Sequence, residues 1–253
     1  MTKELAIKQS EVAEFRLFAD PDLDVKEIVE DNMGGERFKP SDLTRIPMPA
    51  AGGTTFQVPT TDGEVDMKKI PAIIIHVQPA RLYWEKPFGS GEITPPNCSS
   101  QDLLTGIGSP GGKCNECPMN EYGSGKDGGG KACTERRNLY ILTRDALLPY
   151  NLSAPVQSIK NYKAYLQNLT RSGISVKNIV TIIGLEKDKS QGGISYSKLT
   201  FEAGPSLTPE QRQMIAAFRS SFSTVMEQNK MQNAAAFDVR TECSETSPDF
   251  AEQ

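Results

Sequence analysis

The stretch from Pro95 to Arg137, PPNCSSQDLLTGIGSPGGKCNECPMNEYGSGKDGGGKACTERR, constrains this chain more than any other. It holds four of the five cysteines, Cys98, Cys114, Cys117 and Cys133. Cys114 and Cys117 form a C-x2-C knuckle, and fifteen residues separate each outer cysteine from the nearer knuckle cysteine. A close thiolate pair with two distant thiolates matches a tetrahedral zinc site of four sulfurs. Glycine supplies the positive-φ corners that let a backbone wrap an ion, and Gly111, Gly112, Gly123, Gly125 and Gly128 to Gly130 stand beside the cysteines. The segment has little apolar material, so metal binding is expected to supply its ordering energy. Disulfides, unrelated free thiols and an iron–sulfur cluster are the alternatives. Disulfides suit a secreted chain, and Met1-Thr2-Lys3-Glu4-Leu5 opens no apolar signal segment. Four thiolates fill the coordination shell and leave no place for a reactive water. The expected cofactor is therefore one structural zinc ion.

At 253 residues the chain can form one elaborated domain or two small ones. Its longest apolar run, around Ile70 to Val77, has the length of a strand, so no membrane partner is expected. Five cysteines without a leader indicate a reducing, cytoplasmic setting. The formal net charge of −4 does not by itself point to nucleic acid. Its distribution is uneven: the first 36 and last sixteen residues are acid-rich, and the middle carries most of the lysine and arginine.

Residues 2–32 have helical character, interrupted by DPDLD at 20–24 and stopped by Gly34-Gly35. Residues 48–63 are expected to be loop with at most one short strand at Thr55–Val58. Ile73 to Val77 is strand material, Gln78-Pro79 a turn or bulge, and Arg81–Glu85 a second strand. Asn138–Thr143 gives a third strand. Ile159, Tyr162, Tyr165, Leu166 and Leu169 recur at helical spacing, and Ile179–Leu185 and Ile194–Phe201 form a hairpin. Thr208-Pro209-Glu210-Gln211 is a capping box opening a last helix. This order of elements implies an α+β fold with an OB-like five-stranded β-barrel, an inserted four-cysteine zinc-binding loop region and flanking helices. The expected divisions are an N-terminal helical arm and loop at 1–64, the OB-like domain at 65–232 with its insert at 95–137, and an acidic disordered tail at 233–253.

The flanks of the insert interleave cations with aromatics. Lys68, Lys69, Arg81, Tyr83, Trp84, Lys86 and Phe88 precede it, and Lys131, Arg136, Arg137 and Tyr140 close or follow it. Phosphates need positive charge and unstacked bases need flat apolar platforms, so this mixture suits a single strand. Strand alternation places Arg81 and Tyr83 on one face and Leu82 and Trp84 on the other. Either aromatic could equally be core. GKDGGGK at 125–131 has the form G-x4-G-K, but Ala132 stands where a phosphate loop needs Ser or Thr, which argues against nucleotide hydrolysis. His76, the lone histidine, lies in an apolar strand and reads as a core residue; no catalytic constellation is visible. In the acidic tail, Phe250 is a candidate for binding a basic pocket on a partner.

The cysteine insert, the strand order and the acidic, aromatic-bearing tail together resemble the single-stranded-DNA-binding proteins of bacteriophages. Some of these carry a zinc subdomain in an OB-fold and contact replication partners through an acidic C-terminus. EDNMGGERFKPSDLTRIPMPAAGG and the cysteine segments are also similar to uncharacterised proteins of phages and mobile elements. The resemblance implies a non-enzymatic role on single-stranded DNA in replication or recombination, in the host cytoplasm. It departs from the phage pattern in using four cysteines where histidine and cysteine are mixed. The competing expectation is an interaction adaptor, a phage assembly or host-takeover factor, whose zinc module builds only a docking surface.

Overall fold

The computed structural model describes residues 12–19, 24–34, 36, 39, 42–85, 95–125, 128–190 and 193–244. In chain order, helices α1 (Arg16–Ala19) and α2 (Val25–Met33) precede strands β1 (Arg45–Ile46), β2 (Phe56–Thr60), β3 (Gly63–Met67) and the long β4 (Lys69–Tyr83). The cysteine region contributes β5 (Cys98–Ser100), β6 (Thr105–Gly108) and β7 (Gly112–Lys113). Then come β8 (Thr134–Thr143), β9 (Tyr150–Pro155), α3 (Val156–Arg171), β10 (Ile179–Lys189), β11 (Ser195–Ser206) and α4 (Pro209–Ser244).

β4 is the axis of a nine-stranded sheet ordered β1-β9-β8-β4-β5-β6-β7, with β10 and then β11 branching from it. β8 takes one edge of β4 from Ala72 to Leu82. The other edge is shared: β10 pairs Lys69 to Ala72, and β5 pairs Arg81 to Tyr83. β4 is rich in isoleucine because both faces of its first half are buried. Ile70, Ala72 and Ile74 join Leu139, Ile141, Tyr162, Tyr165 and the β2 residues Phe56 and Val58 in one cluster. Ile73, Ile75, Tyr140 and Leu142 join Val12, Phe15, Ile215 and Phe222 in a second. α3 and the β2–β3 hairpin thus supply one core, and α4 with the segment before α1 supplies the other. A register shift between Ile74 and His76 marks a bulge. It turns both Ile75 and His76 toward α4, where the His76 ring lies 5.7 Å from Tyr140 and 6.1 Å from Phe222. Arg219 Nε of α4 donates to the Ile75 carbonyl at 2.6 Å, on the stretch of β4 edge between β10 and β5.

The fold is mixed α+β, as expected, but among the described residues the sheet does not close into a barrel. At β11 the place of a closing strand is taken by side chains. Ser158 Oγ of α3 accepts from Leu199 N–H at 2.9 Å, and Asn161 Nδ2 donates to the Leu199 carbonyl at 2.9 Å. Ser197 Oγ donates to the carbonyls of Pro49 and Gly53 at 2.9 and 2.8 Å. At Leu199, therefore, the outward backbone groups of β11 are met by side chains of α3 and not by a further strand.

Other boundaries also move. Gln78-Pro79 is no turn: Pro79 pairs with Arg137 inside a continuous β4. The β2–β3 hairpin and β9 add strands where loop and a helix cap are expected. The capping box forms as read, Thr208 N–H donating to Gln211 Oε1 at 2.9 Å and Gln211 N–H to Thr208 Oγ1 at 3.3 Å. The helix it opens continues to Ser244, through the first part of the stretch expected to be a disordered tail. Among the described residues no helix is long and apolar enough to cross a membrane.

Candidate metal centre and nucleic-acid interface

The chain leaves the end of β4 and returns by β8, and the cysteine region is built across that gap. β5 continues the sheet from Arg81–Tyr83, which delivers Cys98 opposite Tyr83. The knuckle follows β7: Cys114 N–H donates to the Leu104 carbonyl at 2.8 Å, and a short 3-10 turn at Pro118–Asn120 leads away from Cys117. Cys133 is fixed by its N–H to the Met119 carbonyl at 2.8 Å. Polar side chains do most of the folding. Asp102 Oδ1 accepts from Ser100 Oγ and from the N–H groups of Leu104 and Thr105. Ser124 Oγ donates to the Met119 and Glu121 carbonyls and accepts from Ala132 N–H. Glycine is required where backbone and sulfur come close. A Cβ on Gly106 would lie 2.9 Å from Cys98 Sγ, and one on Gly108 (φ +109°) only 2.1 Å from the Asn97 carbonyl oxygen.

All four cysteines line one cavity of about 10 Å³, room for a single atom-sized occupant. Cys98, Cys114 and Cys133 are buried and Cys117 half-buried, all as free thiols. Burial raises the Cys98 thiol above its ordinary value and pushes Cys133 up to about 11, opposed there by the charge of Arg81. The spacing therefore does converge. Among the described residues, though, no three His, Cys, Asp or Glu side chains are arranged as a formed metal site, so the expected zinc-binding loop is present only as a gathering of thiols.

Arg81 joins this region to the sheet. It shares the cavity wall with Tyr83. Its Nη1 donates to Asn120 Oδ1, and its Nη2 donates to Glu135 Oε2 at 3.3 Å. Glu135 Oε1 also accepts from Arg137 Nη2 at 2.6 Å. Asn120 Nδ2 in turn donates to the Cys114 carbonyl at 2.7 Å, and Lys131 Nζ donates to Asn120 Oδ1 at 3.1 Å. Among the described residues, Arg81 Nε is buried without a hydrogen-bond partner.

The predicted nucleic-acid residues are not brought together as one set. Arg81 and Arg137 are committed to Glu135. Lys68 and Lys69 stand at the opposite end of β4, about 45 Å along the strand from Tyr83 at ~3.3 Å per residue. Lys69 is paired with Glu202 at 3.0 Å. Tyr140 is a correction: at 2 % exposure its ring belongs to the second core cluster and offers no stacking surface. Its hydroxyl reaches Gln78 Oε1 at 3.2 Å, and burial pushes its pKa up to about 12. Lys86, Phe88 and Phe250 lie outside the described residues.

What does assemble is smaller. Trp84, one residue past the end of β4, is half-buried and does not line the cysteine cavity, with the Arg136 guanidinium carbon 5.8 Å from its ring centre. Burial, then the neighbouring Arg45, lowers the Arg136 pKa. Around the corner, the cysteine region exposes Tyr122 at 86 % and Leu104 at 70 %, neither singled out by sequence pattern. A larger cavity of about 390 Å³, between α2 and the 145–150 loop, contains none of the predicted residues. No protein-family model, curated protein or solved structure matches this chain.

Proposed function

We propose that this chain is a non-enzymatic single-stranded-DNA-binding protein of the phage or mobile-element kind. It acts in replication or recombination and is stiffened by one structural zinc on Cys98, Cys114, Cys117 and Cys133. The observation that carries the DNA reading is the Trp84–Arg136 pair. A half-buried indole with a guanidinium over it offers a base a π-face and a phosphate a cation within one contact. Support for the zinc comes from the donor set: four thiols on one small cavity. Zinc would supply ordering energy and no reactive step.

Titrating the zinc-replete protein with oligo-dT tests this. Trp84 emission should be quenched, binding should weaken steeply with salt, and duplex should bind far less. Trp84→Ala should cost about 1–3 kcal/mol of affinity. Absence of salt-dependent binding from folded, zinc-replete protein would overturn the reading. The second reading, an interaction adaptor, is favoured by Tyr122 and Leu104, two large apolar side chains that the cysteine region leaves exposed. Tyr122→Ala and Leu104→Ser would then abolish partner capture while leaving oligonucleotide affinity unchanged.

A further inference from the structure

We propose that Arg81 is the positioning residue of the cysteine centre, clamping the knuckle to β4 and presenting its Nε–H to a cysteine thiolate. This rests on the zinc reading above.

The geometry uses all three corners of the guanidinium. One corner holds Asn120, whose amide also holds the Cys114 carbonyl at 2.7 Å, so the grip reaches the knuckle backbone. A second holds Glu135, itself fixed by Arg137 at 2.6 Å from the other side. The third, Nε, is buried without a hydrogen-bond partner among the described residues, and Arg81 lines the cavity together with the four cysteines. Buried N–H groups almost always have partners. A cysteine thiolate is the charged acceptor that the lining of this cavity can supply.

Electrostatics favours the same residue, because Arg81 and Arg137 together outnumber the one carboxylate, Glu135, that they share. A divalent ion with four thiolates carries a net charge of about −2, and a buried excess of that size needs a neighbouring cation. Arg81 lines the cavity, and its side chain is only 13 % exposed. Lysine could supply the charge but not the three-cornered contact, since its ammonium is a point on a flexible stem. Partners of this kind orient metal ligands, and their loss typically weakens metal affinity about 10- to 100-fold.

The test uses the full chain and cobalt(II) as a spectroscopic stand-in for zinc. Wild type, Arg81→Gln and Arg81→Lys are compared by chelator competition and by the thiolate-to-cobalt charge-transfer band, with circular dichroism as the control for folding. Arg81→Gln should bind about 10- to 100-fold more weakly. Its band should move to lower energy, because a thiolate relieved of a hydrogen bond is a better electron donor. Arg81→Lys should recover part of the affinity but keep the shifted band. Wild-type affinity and an unmoved band in Arg81→Gln would overturn the proposal and leave the zinc reading standing. Weaker binding with an unmoved band would also overturn it, since that is what loss of packing alone produces. If Arg81→Gln does not fold, the band of Arg81→Lys decides in the same way. A wild-type chain that takes up neither cobalt nor zinc removes the zinc reading and this inference with it.

Discussion

The sheet body and the cysteine region are neighbours along β4 and are held together by different physics. The body buries isoleucine, leucine, tyrosine and phenylalanine on both faces, in two clusters that share no residue. The cysteine region buries three cysteines and Ser100, and relies on Asp102 and Ser124 to satisfy its backbone. Apolar burial contributes about 25 cal/mol per Å² whether or not a metal ion is present. Polar turns around thiols gain far less, and gain most when an ion gathers the sulfurs. The body should therefore be stable by itself, and the cysteine region conditionally so.

The largest effect that could break this contrast is in the body. Ile74 is 1 % exposed and packs under α3, so Ile74→Ala should remove about 2–5 kcal/mol of global stability, read from urea unfolding. A smaller loss would mean the clusters are not what hold the sheet. Next comes the centre itself. Purified protein should carry about one zinc per chain. Cys114→Ser should release it and open residues 98–133 to protease while the circular dichroism of the sheet persists. Collapse of the sheet along with the metal would erase the distinction between the two regions.

A smaller effect is expected from pH. His76 is held below its ordinary value of 6.5, first by burial and then by Arg219, with Glu227 opposing. The folded protein keeps the imidazole neutral at a pH where the unfolded chain takes up a proton. The stability it contributes is therefore complete above about pH 6.5 and is lost as pH falls toward the folded value. His76→Gln should flatten that acid limb of the stability profile; an unchanged limb would assign it to other groups. The smallest effect belongs to the C-terminus. Deleting residues 238–253 should leave the urea midpoint intact and leave oligonucleotide binding unchanged or tighter, because the segment carries net negative charge. Loss of binding by a folded truncation would contradict this.

Local signals with their own chemistry were legible in the sequence. The capping box at Thr208 and Gln211 formed as written because both partners lie within one turn. The four cysteines line one cavity, but among the described residues no three of them are arranged to hold a metal ion. Alternation placed Arg81 and Tyr83 together at the cavity, since period two holds wherever a strand is regular. What failed depended on pairing between distant segments. Pro79 reads as a turn until β8 is known to run beside it, on a stretch where the opposite edge of β4 has no strand and a residue without N–H is tolerated. Tyr140 looked like part of a cation–aromatic cluster, but its burial is decided by Phe222, far away in the chain. Glu135, hidden among arginines in the sequence, becomes their common partner only through the register that sets it opposite Arg81.

The two side chains with which α3 meets β11 bear on how this molecule tolerates crowding. An exposed strand edge is a template on which a second copy can add its own strand, and chains kept at high local concentration are the most at risk. Here Leu199, at the middle of β11, has its amide and carbonyl already taken by Ser158 and Asn161. At that point the edge offers an incoming strand neither a donor nor an acceptor.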